Sequence, residues 1–466
     1  MSLKPSDKSP SNSVAERSPR DWSLIAFLLR PRVAIPLVLC FLPVFALLTY
    51  RTIRILRVPP TDVPFDIKPV LEFVLPDANN AFVEYRAANA IYVAFAGKRR
   101  VDVAFEPDEF EKAQSDGWEH ATEPVRKWLD ANRPFMELWR KGTAKPDAQY
   151  YRAGEYSYDT HFPFDFKARE FTQLVRLESS RLLGEGQAEE AWDWLRTSFR
   201  MSRHLGRHGD LLERLSGNST HAETSEGIVK WASNPHVTAD QLQRAMRELR
   251  DEQERTPPLS ACLKLEFLSA RATMASMQPT WKHSAFFFAI GETEVTERAL
   301  RHAFANRLNQ VDKPRRQRAE FDEASGFFER DPALPKPQPS AREVKGYVKN
   351  SIVAAMLVET DHVSFLDTTD REGVRDTVLL TVLALELLAR EHGSYPEKLD
   401  ELVPDFLPVV PEDNDAPPKT PLRYRRDADG ALIYSVGKNG TDDGGPLEHY
   451  EDTGYRIGKP REKTPE

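Results

Sequence analysis

Eighteen consecutive residues from Val33 to Tyr50, VAIPLVLCFLPVFALLTY, carry no charge, and no other segment limits the fold so strongly. As a helix they reach about 27 Å at 1.5 Å per residue, close to the thickness of a bilayer core. Pro36 and Pro43 are tolerated in membrane helices, where neighbouring groups satisfy the freed carbonyls. Arg30 and Arg32 precede the run and Arg51 and Arg54 follow it, placing cations at both ends as interfacial anchors do. The expectation is one membrane-spanning helix within residues 23–57. A cleaved signal peptide fits poorly, because more than thirty residues precede the run and no small-x-small site follows it. Val38-Leu39 ahead of Cys40 does not suit lipoprotein processing. Basic residues nearly balance across the run, and Lys4 and Lys8 tip the expectation towards a cytoplasmic N-terminus and an extracytoplasmic body.

The rest of the chain is water-soluble in character. Of 466 residues, 29% are charged and 40% hydrophobic, which suits a globular protein of two or three folding units. Acidic residues number 72 against 64 basic ones, a net charge of −8, and a nucleic-acid partner is disfavoured. The basic runs Lys98-Arg99-Arg100 and Arg315-Arg316-Gln317-Arg318 are short enough to read as solvated helix ends or loops. Cys40 lies in the apolar run and Cys262 in the body, so no disulfide framework is expected.

Periodicity and breakers divide the chain further. Residues 1–22, rich in Ser, Pro and charge, are expected to be a disordered tail. Residues 58–76, with five prolines, read as an extended stalk. From 77 to 330 the pattern is helical. An apolar stripe through Ala81, Phe82, Tyr85, Ala88, Ile91 and Tyr92 marks one helix, and Val125 to Trp139 another. Helices then follow over 167–183, 187–205, 211–233, 239–254, 259–277 and 294–308, with Gly or Pro at most of the breaks. The turn RLLGEGQAEEAWDW, 181–194, resembles that of a tetratricopeptide-type hairpin, although no strict repeat period recurs. The aromatic loop 150–166 is a candidate contact surface. A Pro-rich break and a connecting helix fill 331–370, a strongly apolar helix covers 371–391, and 451–466 reads as a tail. The fold class expected is therefore mostly α: an N-terminal transmembrane helix, a helical-hairpin body and a small α+β module over 371–450.

That last module carries a resemblance. After its helix come Gly393, Tyr395 and Pro396, then Leu399, Leu402, Leu407 and Pro408. A strand pair follows around Tyr424 and Tyr434, bridged by Asp-Ala-Asp-Gly, and then Ser435, Gly437, Gly440, Gly444 and Gly445. This order resembles the globular part of type II secretion major pseudopilins and covers about a fifth of the chain. Similar tails occur on large single-pass membrane proteins of planctomycete-type bacteria, which the whole chain resembles. The pseudopilin processing site at the membrane helix is missing, so the resemblance implies a reused module rather than a pilus subunit. It also implies a calcium ion in the last loop, with Asn439, Asp442 and Asp443 as oxygen ligands; an acidic Gly-rich turn without an ion is the alternative.

Catalytic signals are weak. His204 and His208 stand four apart, a spacing that can seat zinc, but no HExxH occurs and the bland reading is a pair of exposed histidines at a helix end. Glu386 in an apolar helix reads as a hydrogen-bonded carboxyl rather than a general acid. No phosphate-binding loop, dinucleotide fingerprint or nucleophile elbow is present, and no catalytic residue is assigned. The expected function is a membrane-tethered, non-catalytic interaction or scaffold protein of the cell envelope, acting with other envelope proteins. An envelope hydrolase built around His204, His208 and Asp210 is one alternative. An accessory component of a secretion apparatus is another.

Overall fold

The computed structural model describes residues 30–94, 107–157, 160, 162–163, 166–277, 281–336, 338–358, 362–445 and 452–458. The expected tail over 1–22 lies outside them. The fold is 62% helical and 7% strand.

Helix α1, Pro31–Leu56, begins with proline at its first turn and continues past the apolar run. Among the described residues it is the one helix long and apolar enough to cross a membrane. Most of its apolar side chains are exposed, as a lipid-facing helix requires. Its last turn is different. Arg54 is buried, and its guanidinium donates to the Ile290 carbonyl at 3.0 Å, to Glu292 Oε2 at 2.6 Å and to the Asn350 carbonyl. Asn350 Nδ2 donates back to the Arg54 carbonyl at 2.9 Å. The other Glu292 oxygen accepts from Ser351 Oγ at 2.8 Å and the Val353 amide at 3.0 Å. Burial alone would raise the Glu292 carboxyl, but the Val353 amide and Arg54 hold it low. The foot of α1 is thus clasped to the body by a buried, hydrogen-bonded ion pair.

Residues 58–76, expected as a stalk, run along the body. Val58 is buried; Val63, Phe65, Ile67 and Val70 pack against the core cluster that holds Phe267 and Phe304, and Phe65 meets Phe267 edge-on at 5.5 Å. Asp66 caps the short helix α2, Ile67–Glu72. Helices α3 (Phe82–Ile91), α4 (Pro107–Ser115), α5 (Glu123–Ala131) and α6 (Arg133–Thr143) follow. The single helix expected through Val125 and Trp139 is split at Asn132, ahead of Pro134. The hairpin helices then match expectation to within two residues: α7 (Ala168–Gly184), α8 (Ala188–His204), α9 (Leu211–Ala232) and α10 (Ala239–Gln253). Between α7 and α8, Gly186 takes φ 77° and the Gln187 amide returns to the Leu182 carbonyl at 2.8 Å, a glycine-dependent helix stop.

Helices α11 (Leu259–Ser276), α12 (Trp281–Ile290) and α13 (Glu292–Leu308) lead to a two-stranded ladder, β1 (Phe321–Asp322) with β2 (Phe327–Phe328). Helices α14 (Ala341–Lys349), α15 (Ile352–Val358) and α16 (His362–His392) complete the set. Helix α16 starts nine residues before the apolar helix expected over 371–391 and runs unbroken to His392. The C-terminal sheet is antiparallel in the order β3 (Arg423–Asp427), β4 (Gly430–Ser435), β5 (Thr453–Gly458). The first two strands form the hairpin expected from Asp-Ala-Asp-Gly, with Asp427 opposite Gly430.

Strand β5 falls in the segment expected to be a tail. It is short and flanked by glycine, so its alternation of Tyr455 and Ile457 was too brief to register as a strand. A Cβ at Gly454 would stand 2.1 Å from the Ile433 carbonyl oxygen. Gly454→Ala should therefore loosen the β4–β5 pairing at a cost of about 1–3 kcal/mol, read as lost amide-exchange protection across β5; unchanged protection would refute the contact.

The main core joins α3 to α10 with α16 and the sheet: Trp128, Trp139, Trp192, Val378, Leu383, Ala431 and Ile457 belong to one buried cluster. Trp139 is sandwiched between Tyr85 and Phe171, at 4.2 and 5.0 Å between ring centres. The described part of the aromatic loop expected as a contact surface is divided between this core, with Tyr150, Phe162 and Phe166, and a second one, with Tyr151 and Tyr156. Phe162 and Phe166 are buried 4.8 Å apart, and Phe166 lies 5.5 Å from Phe82; several aromatic rings close in sequence bury more apolar area than a surface loop can leave in water.

Candidate functional site

Helix α9, LLERLSGNSTHAETSEGIVKWA, shows no clean apolar stripe, yet Glu213, Arg214, Asn218, His221, Thr224 and Ser225 on it are all buried. A buried polar helix needs a partner for every such group. On one side a hydroxyl ladder serves Thr224: Thr172 meets Ser198 at 3.1 Å, and Ser198 meets Thr224 at 2.8 Å. On the other side stands α16. Arg203 and Arg214, both fully buried, converge on Glu372. Arg203 Nη2 also chelates Asp376, at 2.7 and 2.8 Å, and His221 Nε2 bonds the same carboxylate at 2.9 Å. Burial pushes the Glu372 carboxyl up, but Arg214 and Arg203 outweigh it and hold the group below the ordinary carboxylate range. Burial and the adjoining Arg203 push His221 down, towards the neutral imidazole. Two guanidinium and two carboxylate groups thus balance in the interior.

A second buried set lies at the start of α9. Asp210 caps the helix, accepting from the Glu213 amide at 2.8 Å and from the Phe162 amide at 3.1 Å. Glu213 accepts from the Gly206 amide at 2.9 Å, and Glu266 from the Leu211 amide at 3.2 Å. Burial raises Glu213 well above its usual value and Glu266 to about 7, with Asp210 adding repulsion to both. Cys262 beside them is buried, and burial likewise raises its thiol. A raised carboxyl favours the fold below the unfolded value of 4.5 and loses that contribution as pH climbs through about 7. Glu266 keeps some solvent contact, so Glu266→Gln should stabilise the chain at pH 8 by about 1–2 kcal/mol and leave it unchanged at pH 4. Urea midpoints at the two values check this; equal shifts at both would contradict it.

The residues singled out for hydrolase chemistry do not converge. His204 is buried rather than exposed, bonds Tyr85 Oη at 2.8 Å, and is pushed down to about 3 by burial. His208 turns away to Asp147 at 3.0 Å and stacks on Phe73 at 4.3 Å, while Asp210 is the helix cap. Among the described residues no group of three His, Cys, Asp or Glu side chains is placed to hold a metal. Glu386 accepts from Ser233 at 2.6 Å, Tyr395 at 2.9 Å and Arg390 at 3.1 Å. It joins α9 to the Gly-Ser-Tyr-Pro segment.

The loop expected to hold calcium is closed on itself. Asp442 accepts from Tyr434 Oη at 2.7 Å and from Arg423 Nε at 3.1 Å. Asn439 Nδ2 donates to Asp443 at 3.2 Å, and Asn439 Oδ1 accepts from the Thr441 amide at 2.8 Å. Asp442 therefore already holds a phenol and a guanidinium, and the loop runs on into residues outside those described.

Among the described residues, a polar cleft of about 920 Å³ is walled by α7, α9, the segment 114–119 and the end of β5. Trp118, Arg176, Lys230, His236 and Arg456 line it. Lys230 Nζ donates to the Gln114 carbonyl at 2.9 Å, and burial together with Arg176 lowers its pKa. Arg176 reaches Glu226 at 2.9 Å.

Comparison with protein-family models, with curated proteins and with solved structures finds no match to this chain. Function must therefore rest on the geometry alone. Sequence reasoning missed Arg203, Arg214, Glu372 and Asp376, which are scattered over 173 residues and share no spacing. The one usable signal was the presence of ionisable residues in α16, a helix otherwise apolar enough to be core.

Proposed function

We propose that this chain is a membrane-tethered, non-catalytic scaffold of the cell envelope. In this reading α1 spans the bilayer with its N-terminus on the cytoplasmic side, and the body stands outside and offers its polar cleft to other envelope proteins. The Arg54 clasp carries the reading. A tether that only localises a protein can be slack, whereas a buried ion pair at the foot of the anchor fixes how the body faces the membrane. The buried ionisable groups support it too, since Arg203, Arg214, Glu372 and Asp376 are spent on one another. The hairpins α7–α8 and α9–α10 suit a tetratricopeptide-like packing, and such hairpins serve as binding platforms. The order of α16, the Gly-Ser-Tyr-Pro segment, a 3₁₀ turn at Leu399–Leu402 and an antiparallel sheet supports a reused pseudopilin-like module bound into the body's core.

The test is a photo-crosslinking side chain at His236, on the cleft, in the full chain within its native membrane. The reading predicts discrete protein adducts that disappear with Trp118→Ala and are missing when the probe sits at exposed Glu137. Equal labelling from both positions, or none from the cleft, would overturn it.

A further inference from the structure

Helix α12, WKHSAFFFAI, has seven apolar residues in ten and is followed by Gly291 at φ 69°. It lies against α1. Arg51 Nη1 donates to the Phe288 carbonyl at 2.6 Å and its guanidinium covers the Phe288 ring at 4.2 Å. Arg54 reaches the Ile290 carbonyl, and a Cβ on Gly291 would touch Ile55 at 3.1 Å. These contacts set the C-terminal end of α12 beside the last turns of α1. Despite this, Phe286 is 55% and Phe288 69% exposed. A second apolar face is tied to the same clasp. Ile352 and Met356, one turn apart on α15, are 57% and 61% exposed. Their helix is held to the same clasp through the Val353 amide on Glu292 and Asn350 on Arg54. Basic Arg57 and Lys349 are exposed close by in sequence.

Four large apolar side chains are thus exposed on two helices that are both joined to the foot of α1, an exposure that water does not favour. Ten helical residues reach about 15 Å, too short to cross a bilayer of about 30 Å. They are long enough to lie in its boundary layer, where aromatic side chains concentrate and cations meet headgroups. We propose that α12 and the Ile352/Met356 face of α15 form a second, monotopic membrane contact, inserted into the leaflet from which α1 emerges. The occupant is the lipid bilayer itself at the headgroup–acyl boundary. Continuity with α1 is the argument for lipid over protein, and the inference rests on reading α1 as a span. With α12 in the leaflet, the clasp holds the body flat against the membrane.

The experiment uses the full chain, with Cys40→Ser, in vesicles of phosphatidylcholine and phosphatidylglycerol. An environment-sensitive fluorophore is placed in turn at Ala285→Cys, Met356→Cys, Val38→Cys and the exposed surface position Glu254→Cys. The expected result is blue-shifted emission at 285 and 356, lost on adding lipids spin-labelled near the headgroup, with no change at 254. Label 38 should be quenched by lipids spin-labelled deeper in the chain. Quenching at 38 with none at 285 and 356 would keep the span and overturn the second contact. A blue shift at 285 without lipid quenching means a protein partner covers the face, which also overturns it. Loss of quenching at 38 removes the span on which the inference rests. Because Ala285 and Met356 are exposed, neither substitution disturbs packing, and agreement of the two separates insertion from misfolding.

Discussion

Glu372→Ala is expected to destabilise the folded chain by about 3–5 kcal/mol, the cost of leaving buried Arg214 without its counter-charge and Arg203 with Asp376 alone. Arg203 and Arg214 are fully buried and both converge on this carboxylate, so neither can turn to water when it is removed. The pH dependence gives a second signature. The carboxyl is held below its ordinary value, so its contribution is complete above the unfolded pKa and is lost as pH falls through the folded one. Glu372→Gln should therefore cost most at neutral pH, and its curve should converge on wild type in acid. This is opposite in sign to Glu266, whose raised carboxyl disfavours the fold towards alkaline pH. Urea unfolding of the full chain in detergent between pH 3 and 8 separates the two; a loss of under about 1 kcal/mol for Glu372→Ala would mean the network is solvated.

Arg54→Leu should have an effect of similar size at the other end of the molecule. It strands Glu292 in a buried site with only Ser351, Thr296 and the Val353 amide as partners, for about 3–5 kcal/mol. It also removes the bonds to Ile290 and Asn350 that fix α1. Limited proteolysis should then cut within residues 58–66 at protease levels that leave wild type intact. Arg54→Lys should rescue only in part, because one ammonium cannot reach three acceptors in the geometry of the guanidinium fork. Unchanged proteolysis in Arg54→Leu would show that α1 is held by something else.

What the sequence disclosed follows from how local each signal is. The hairpin helices were legible because Gly186, Gly206 and Pro235 punctuate a strong helical pattern, and these stop signals act within a few residues. The β3–β4 hairpin was legible for the same reason. The ion networks were not, since Arg203 meets Glu372 across 169 residues and only the packing of α16 on α9 brings them together. The run Arg315 to Arg318 reads as a solvated loop in sequence, yet Arg315 and Arg318 pair with Asp370 at 3.1 and 2.7 Å and secure the early turns of α16. His204 misled for a related reason: glycines nearby suggest a fraying helix end, but Gly206 at φ 80° packs its backbone on Arg214 and seals the turn inside.

In the function proposed above, the body is fixed to α1 rather than tethered loosely. Cys262 is buried with a raised thiol pKa and resists modification, so spin labels can be placed at Thr52→Cys and Lys349→Cys in a Cys40→Ser chain held in lipid nanodiscs. The distance distribution between them, measured by double electron–electron resonance, is predicted to be single and narrow, and to broaden when Arg54→Leu is added. A distribution already broad in the otherwise native chain, or one indifferent to Arg54, would contradict the account.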